Sequence, residues 1–383
     1  MKNLRNVAVV GFAQQPVVSR DEHRTTHEML YPTVRQALAD CGVDRDAIEY
    51  QVAGSTDYMD GRPFGFVMAL DVMGSWPPRQ DLHLEMDAAF AAYYAWVRLQ
   101  TGECDTAMVV GYGKTSEGDP NRILNLQLDP YYQAPIGLDP TSTAALQASA
   151  YMARTGITDS DLAAVAARNR AAGARNPDSQ VREATTAAEL QKTPWAVEPL
   201  RTGYLPPVGE SATCLILAAE GKAEKMCDRP VWIHGVDHRA EMQTLGARDL
   251  SRSASTQLAA EKALAMAGMR RANEADVAEL LTPTPSEELI VCEALGLAPL
   301  GLAPLGLAPE GSRPAINPSG GALCAHPIMM TGLIRLGEVF RQLSGRAGAR
   351  AVPNARRGIA HVTQGHCLQH NMVWVLGSER RWS

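Results

Sequence analysis

Apolar residues gather in short unbroken runs along the first half of the chain, at Val7 to Phe12, Tyr50 to Ala53, Thr106 to Gly111 and Cys214 to Ala218. Runs of this length without polar alternation predict strands buried on both faces. Between them, helical spacing of apolar residues predicts helices over Glu28 to Cys41 and Ala88 to Leu99. Each closes on a glycine, Gly42 or Gly102, where a helix C-terminus favours a left-handed residue. Strands alternating with helices predict a parallel α/β sheet covered on both faces. The second half follows the same order, with strands predicted at Val231 to His234, Val277 to Leu281, Ile359 to Thr363 and Met372 to Leu376. Even the letters repeat. Ala37-Leu38-Ala39-Asp40-Cys41-Gly42-Val43 and Ala263-Leu264-Ala265-Met266-Ala267-Gly268-Met269 each precede a strand, an offset of 263 − 37 = 226 positions. Two halves, residues 1–225 and 226–383, each with a sheet too small to hide both faces, are expected to pack on each other.

One region breaks this rhythm. From about residue 115 to 201 the pattern is mostly helical, with helices predicted over Thr141 to Arg154 and Asp159 to Ala172 and proline-rich joints between. Such an excursion is expected to lie over the sheet ends, where α/β proteins bind ligands. A second irregular stretch, residues 296–309, repeats a five-residue Gly-Leu-Ala-Pro-Leu unit nearly three times. Its prolines forbid a regular helix, so it reads as a connector without chemistry.

Composition narrows the function classes. The 383 residues are 45% hydrophobic, enough for one large core or two linked ones, and the net charge of -6 comes with no run of Lys and Arg. Nucleic acid and anionic membranes are therefore not expected partners. The seven cysteines are scattered and never paired as CxxC, which suits reduced thiols better than a disulfide framework or a zinc knuckle. With no signal-peptide core and no bilayer-length apolar stretch, a cytoplasmic protein is expected.

Five landmarks carry a family likeness. These are Thr101-Gly102-Glu103-Cys104-Asp105 with Gly111-Tyr112-Gly113-Lys114 after the next strand; Ala167-Arg168-Asn169-Arg170 with Asn176-Pro177; and Pro207-Val208-Gly209-Glu210-Ser211-Ala212. Glu288-Leu289 with Glu293-Ala294-Leu295-Gly296-Leu297, and Asn317-Pro318-Ser319-Gly320-Gly321, complete the set. Together they resemble the sterol-carrier-type thiolases and the lipid-transfer thiolase-like proteins of steroid side-chain breakdown. The resemblance implies the thiolase fold, two pseudo-repeated βαβαβαββ halves in five α-β-α-β-α layers. It also implies a homodimer, and an acyl-CoA thioester as substrate with no bound cofactor.

Four stations of such a site can be placed. A thiolase needs a cysteine at a buried helix N-terminus, where the dipole favours the thiolate. The family's spacing from Gly102 puts that position at Glu85, in His83-Leu84-Glu85-Met86-Asp87-Ala88, with no cysteine within fifteen residues. Helix capping is the first reading of Asp87, which stays a lesser catalytic candidate, while one cap does not explain two acids and Glu85 stands as the candidate base. At the second station the carbonyl-polarising histidine is replaced by Leu281, in Leu281-Thr282-Pro283-Thr284. The third station keeps its histidine as His326, in Cys324-Ala325-His326-Pro327, and this is the leading acid/base candidate. At the fourth, Val362-Thr363-Gln364-Gly365-His366-Cys367, either His366 or Cys367 is expected to face the pocket. His361, His366, Cys367 and His370 match no zinc spacing, so no metal is expected. The loop tyrosines Tyr58, Tyr131 and Tyr132 are further candidates for a pocket wall.

Without a nucleophilic cysteine, reactions that need only proton transfer beside a thioester come forward. The leading expectation is retro-aldol cleavage of a β-hydroxyacyl-CoA with a bulky, steroid-type side chain, with His326 as acid/base and Glu85 assisting. The alternatives are a non-catalytic thiolase-like subunit that binds acyl-CoA, and an acyltransferase using Cys324 or Cys367. By the same resemblance, a small OB-fold or hydratase-linked protein is the expected partner.

Overall fold

The computed structural model describes residues 4–61, 63–297 and 314–380, so most of the proline-rich repeat lies outside the described residues. The first half contributes β1 (Val7–Gln14), β2 (Tyr50–Gly54), β3 (Gln80–Leu84) and β4 (Thr106–Gly113). A short hairpin of β5 (Trp195–Val197) and β6 (Leu200–Arg201) belongs to the helical excursion, after which β7 (Ser211–Ala219) returns to the sheet. The second half contributes β8 (Val231–Ala240), β9 (Val277–Leu280), β10 (Ala315–Ile316), β11 (Arg357–Gln364) and β12 (His370–Gly377).

The two halves have one plan. Strand order is β3-β2-β4-β7-β1 in the first and β10-β9-β11-β12-β8 in the second. In each, two parallel pairings are followed by antiparallel ones: β2 is parallel to β3 and β4, β9 to β10 and β11, while β7 and β12 run against their neighbours. The parallel sheet expected from the alternation of elements is thus corrected to a mixed one. Strand β7 follows the long excursion rather than a single crossover helix, and β12 follows β11 through a tight turn, so both return antiparallel. The half-sheets join edge to edge where Ala8 pairs with Trp232 and Val9 with Val231.

Strand alternation sorts the side chains into three cores. Val7, Val9, Val109 and Leu217 from one half-sheet, and Ala360, Val362, Met372 and Trp374 from the other, share one core with the helices Ala88–Gln100 and Thr331–Leu343. These two helices form the middle layer. Ala8, Val10, Met108 and Ile216 face outward against the helix Thr26–Asp40, and Ala278, Leu280, Val373 and Val375 face the helices Ala254–Met266 and Pro285–Ala294. The five α-β-α-β-α layers follow directly. Among the described residues no helix is long and apolar enough to cross a membrane.

Placing a helix between two sheets buries whatever charge it carries. Arg335, 1% exposed, meets Glu279 at 2.6 Å, and Glu338 meets Arg341 at 2.7 Å and Arg350 at 3.1 Å. Removing one partner of such a pair would leave an uncompensated buried charge. Close packing also explains a glycine: a Cβ on Gly111 would lie 2.7 Å from the Ala88 Cβ and 2.9 Å from the Met330 Cβ. Only a bare α-carbon at the end of β4 lets both middle helices start where they do.

Candidate active site

The two middle helices begin beside each other at the C-terminal ends of the parallel strands, and a cavity of about 300 Å³ opens there. Asp87 and Thr331 line it from the helix starts, Leu281 and Glu287 from the end of β9 and the helix after it, and His326 and Met329 from the loop before Thr331. Thr363 to Cys367, at the end of β11, close one side. The roof is the helical excursion, through Asn121 and Leu124 of the helix Pro120–Asn125 and Thr143 of the helix Pro140–Thr155.

Asp87 is the N-cap of its own helix, its Oδ1 accepting from the Ala89 N–H at 2.9 Å. Its Oδ2 accepts from the Gly332 N–H at 2.8 Å, so one carboxyl closes the N-termini of both middle helices. A side chain on Gly332 would run into that carboxyl, 2.5 Å from Oδ1. Burial pushes the Asp87 carboxyl up to about 6, against the three backbone N–H groups that favour its charge. Its own N–H donates to Gln364 Oε1 at 2.7 Å. That bond fixes the amide orientation, so the Gln364 Nε2 donors turn away, and their recorded contact is a loose one to the Met329 sulfur at 3.9 Å.

His326 is held through Nδ1, 3.0 Å from the Thr331 hydroxyl. That hydroxyl already donates its single proton to the Pro327 carbonyl at 2.7 Å. The proton between Thr331 and His326 therefore sits on Nδ1, and Nε2 is left as the basic nitrogen. Burial lowers the imidazole to about 4, keeping it neutral over the physiological range.

His366 plays a different part. Its Nε2–H donates to the Leu124 carbonyl at 3.1 Å while Nδ1 lies 3.0 Å from the Thr143 hydroxyl, so both nitrogens fasten the end of β11 to the roof helices. Cys367 sits in left-handed backbone at φ 54° and gives its S–H to the Thr143 carbonyl at 3.2 Å. Burial pushes its thiol up to about 12, which leaves no thiolate at neutral pH.

Of the residues proposed from sequence, the structure brings Asp87, His326, His366 and Cys367 to one cavity. Glu85 is outside it. The side chain is exposed, and its two oxygens lie 3.2 and 3.3 Å from the Asp57 N–H. The bonds to helix N–H groups draw Asp87 inward and leave Glu85, in the turn after β3, at the surface. Leu281 stands in the wall, as its station implies. Tyr58, Tyr131 and Tyr132 are 69%, 82% and 82% exposed and do not line the cavity. Cys324 is buried outside the lining, donating to the Asn169 carbonyl at 3.2 Å, with its thiol raised to about 11 by burial. His361 lies within the sheet, 3.0 Å from Asn371 Oδ1.

Among the lining residues that sequence reasoning did not single out, Gln364 and Glu287 bear on the chemistry. Gln364 carries no signal beyond its place before Gly365. Glu287 does carry one, because Thr284-Pro285-Ser286-Glu287 is a capping box after a strand. Its Oε2 accepts from the Thr284 N–H at 2.9 Å and the Thr284 hydroxyl at 3.1 Å.

Comparison with known proteins agrees with this architecture. The thiolase C-terminal domain-like family matches residues 236–378. An acetyl-CoA acetyltransferase of Methanothermobacter thermautotrophicus is 28% identical over 273 residues, 68% of this chain and 70% of its own. Sterol carrier protein 2 of Gallus gallus is 26% identical over 383 residues, 93% of this chain and 69% of its own. Among solved structures, an Ltp2-ChsH2(DUF35) aldolase superposes with a TM-score of 0.83 at 18% identity, covering 97% of each chain. A mixed α/β fold in five layers, with a cavity where two buried helices start, is the thiolase fold these solved structures share, and residues 236–378 carry the likeness to the thiolase C-terminal domain-like family.

Proposed function

We propose that the protein is a carbon-carbon lyase that cleaves a β-hydroxyacyl-CoA by a retro-aldol reaction. One observation carries the reading: at the helix start where acyl transfer needs a thiolate, the cavity presents the Asp87 carboxyl, already bonded to two helix N-termini. Cys367, the one cysteine among the described lining residues, holds its proton. A covalent acyl-enzyme has no nucleophile here. The same geometry argues against the acyltransferase reading, since Cys324 is outside the cavity altogether.

Retro-aldol chemistry needs a base for the β-hydroxyl and donors for the enolate oxygen. His326 Nε2 takes the hydroxyl proton, the C–O bond becomes a carbonyl, and the electron pair of the Cα–Cβ bond moves toward the thioester oxygen. The Gln364 Nε2–H groups are the donors on offer for that oxygen. Protonation of Cα then gives a shorter acyl-CoA and a ketone or aldehyde. The likeness in fold to an aldolase supports this reading, and that aldolase's name supplies a further proposal, a DUF35-type protein as partner. A homodimer and a bulky, steroid-type side chain remain proposals drawn from the resemblance.

The test is incubation of the purified protein with a β-hydroxyacyl-CoA, with and without a DUF35-type protein. Release of a shorter CoA ester and a carbonyl product in equal amounts is expected. Intact substrate in both mixtures would leave a binding subunit as the better description.

A further inference from the structure

Capping boxes are common at helix starts, and this chain contains several that can be compared. Glu28 and Glu189 each accept from the N–H and hydroxyl of the threonine three residues earlier, at 2.7 and 2.9 Å and at 2.8 and 2.7 Å. Both are exposed, and the hydrogen bonds hold their carboxyls below the ordinary range. Glu287 makes the same two bonds to Thr284 yet is only 7% exposed, and burial moves its carboxyl the other way, to about 7. A cap needs neither burial nor a cavity. Glu287 has both, and only Oε2 is used by the cap. Among the described residues nothing bonds to Oε1, and the residue lines the cavity that holds His326, Gln364 and Cys367.

We propose that Glu287 is the second proton-transfer group of this cavity, supplying the proton that the departing α-carbon requires. The inference rests on the retro-aldol reading and divides its two proton transfers between two side chains. His326 Nε2 receives the β-hydroxyl proton as the Cα–Cβ bond breaks and its electron pair becomes the enolate. The Glu287 carboxylic acid then gives its proton to Cα, forming the C–H bond of the released acyl-CoA and leaving a carboxylate. Return of the proton from His326 through solvent restores both groups, so no oxidant or further reactant enters. Thr284 acts as a positioning residue, since its two bonds to Oε2 turn the remaining oxygen free. The cap geometry thereby fixes an acid on a rigid helix start rather than on a mobile loop.

The same acid must also run the step backwards, removing a proton from Cα of the product acyl-CoA. That partial reaction can be read without any carbonyl partner, as deuterium uptake at Cα in heavy water measured by mass spectrometry. Wild-type protein is expected to exchange this hydrogen. Glu287→Gln keeps an oxygen for the capping box but has no proton to give. Exchange and kcat should each fall by about 10² to 10⁴-fold, with KM and the thermal unfolding midpoint little changed. Exchange and cleavage at wild-type rates in the Gln variant would overturn the assignment while leaving the lyase reading intact. Neither cleavage nor exchange by wild-type protein would overturn both. A second measurement uses the unsubstituted protein with an α-substituted acyl-CoA. A single fixed acid delivers deuterium to one face of Cα, whereas label on both faces would exclude one.

Discussion

If Asp87 closes two buried helices at once, replacing it should cost stability in a way that depends on pH. Asp87→Ala leaves the N–H groups of Ala89 and Gly332 without their acceptor, 2.9 and 2.8 Å away in the native protein. An unsatisfied buried donor costs about 1–3 kcal/mol, so the two together suggest roughly 3 kcal/mol. The charge itself works in the opposite direction. The carboxyl sits at about 6 when folded against an ordinary value of 3.8, so the folded state holds the proton more tightly than the unfolded state does. Stability from this raised value is complete below about pH 4 and is lost as pH climbs through 6. At pH 5, one unit below the folded value, about 1.4 kcal/mol of it remains relative to pH 8. Urea unfolding of wild type and Asp87→Ala at fixed protein concentration should therefore show a gap of roughly 3 kcal/mol at pH 5, narrowing by about 1.4 kcal/mol at pH 8. Titrations common to both proteins cancel in the difference. A gap that stays constant with pH, or that is absent at pH 5, would refute the double-cap reasoning.

Other substitutions probe the same account. His326→Gln should lower kcat by about 10² to 10⁴-fold, because the amide offers no basic nitrogen; steady-state cleavage rates decide it, and a loss under threefold would remove His326 from the chemistry. Cys367→Ala should leave kcat within about threefold, since the thiol keeps its proton; loss of activity in the same assay would restore a nucleophilic role. Gly111→Ala forces a Cβ against Ala88 and Met330 and should cost about 1–3 kcal/mol in urea unfolding. An unchanged midpoint there would contradict the packing of the middle layer.

The strands legible from sequence were those that five layers bury on both sides. β1, β4 and β7 are apolar throughout or nearly so because helices cover each face. β3, Gln80–Leu84, is a polar edge strand and β10 is two residues long, and neither leaves a pattern to read. The middle helix Thr331–Leu343 carries Gly332 and Gly337, and Arg335 and Glu338 that are buried only because partners from distant segments meet them. Its apolar positions Leu333, Ile334, Leu336, Val339, Phe340 and Leu343 recur at helical spacing, yet no local rule announces that its charged face is buried as well. At the site, spacing from Gly102 pointed to Glu85, two residues short of the acid that lines the cavity. The second helix terminus, 245 positions away, draws Asp87 inward and decides the matter. Glu287 shows the reverse difficulty, in that its capping box is local and visible while its burial is not.

A rapid-quench single turnover with a β-hydroxyacyl-CoA tests the central claim most directly, following both the small molecules and the intact protein mass. Carbonyl product and shortened CoA ester should appear together while the protein mass stays constant at every time point. An acyl group appearing on a cysteine before product release would contradict cleavage by proton transfer alone.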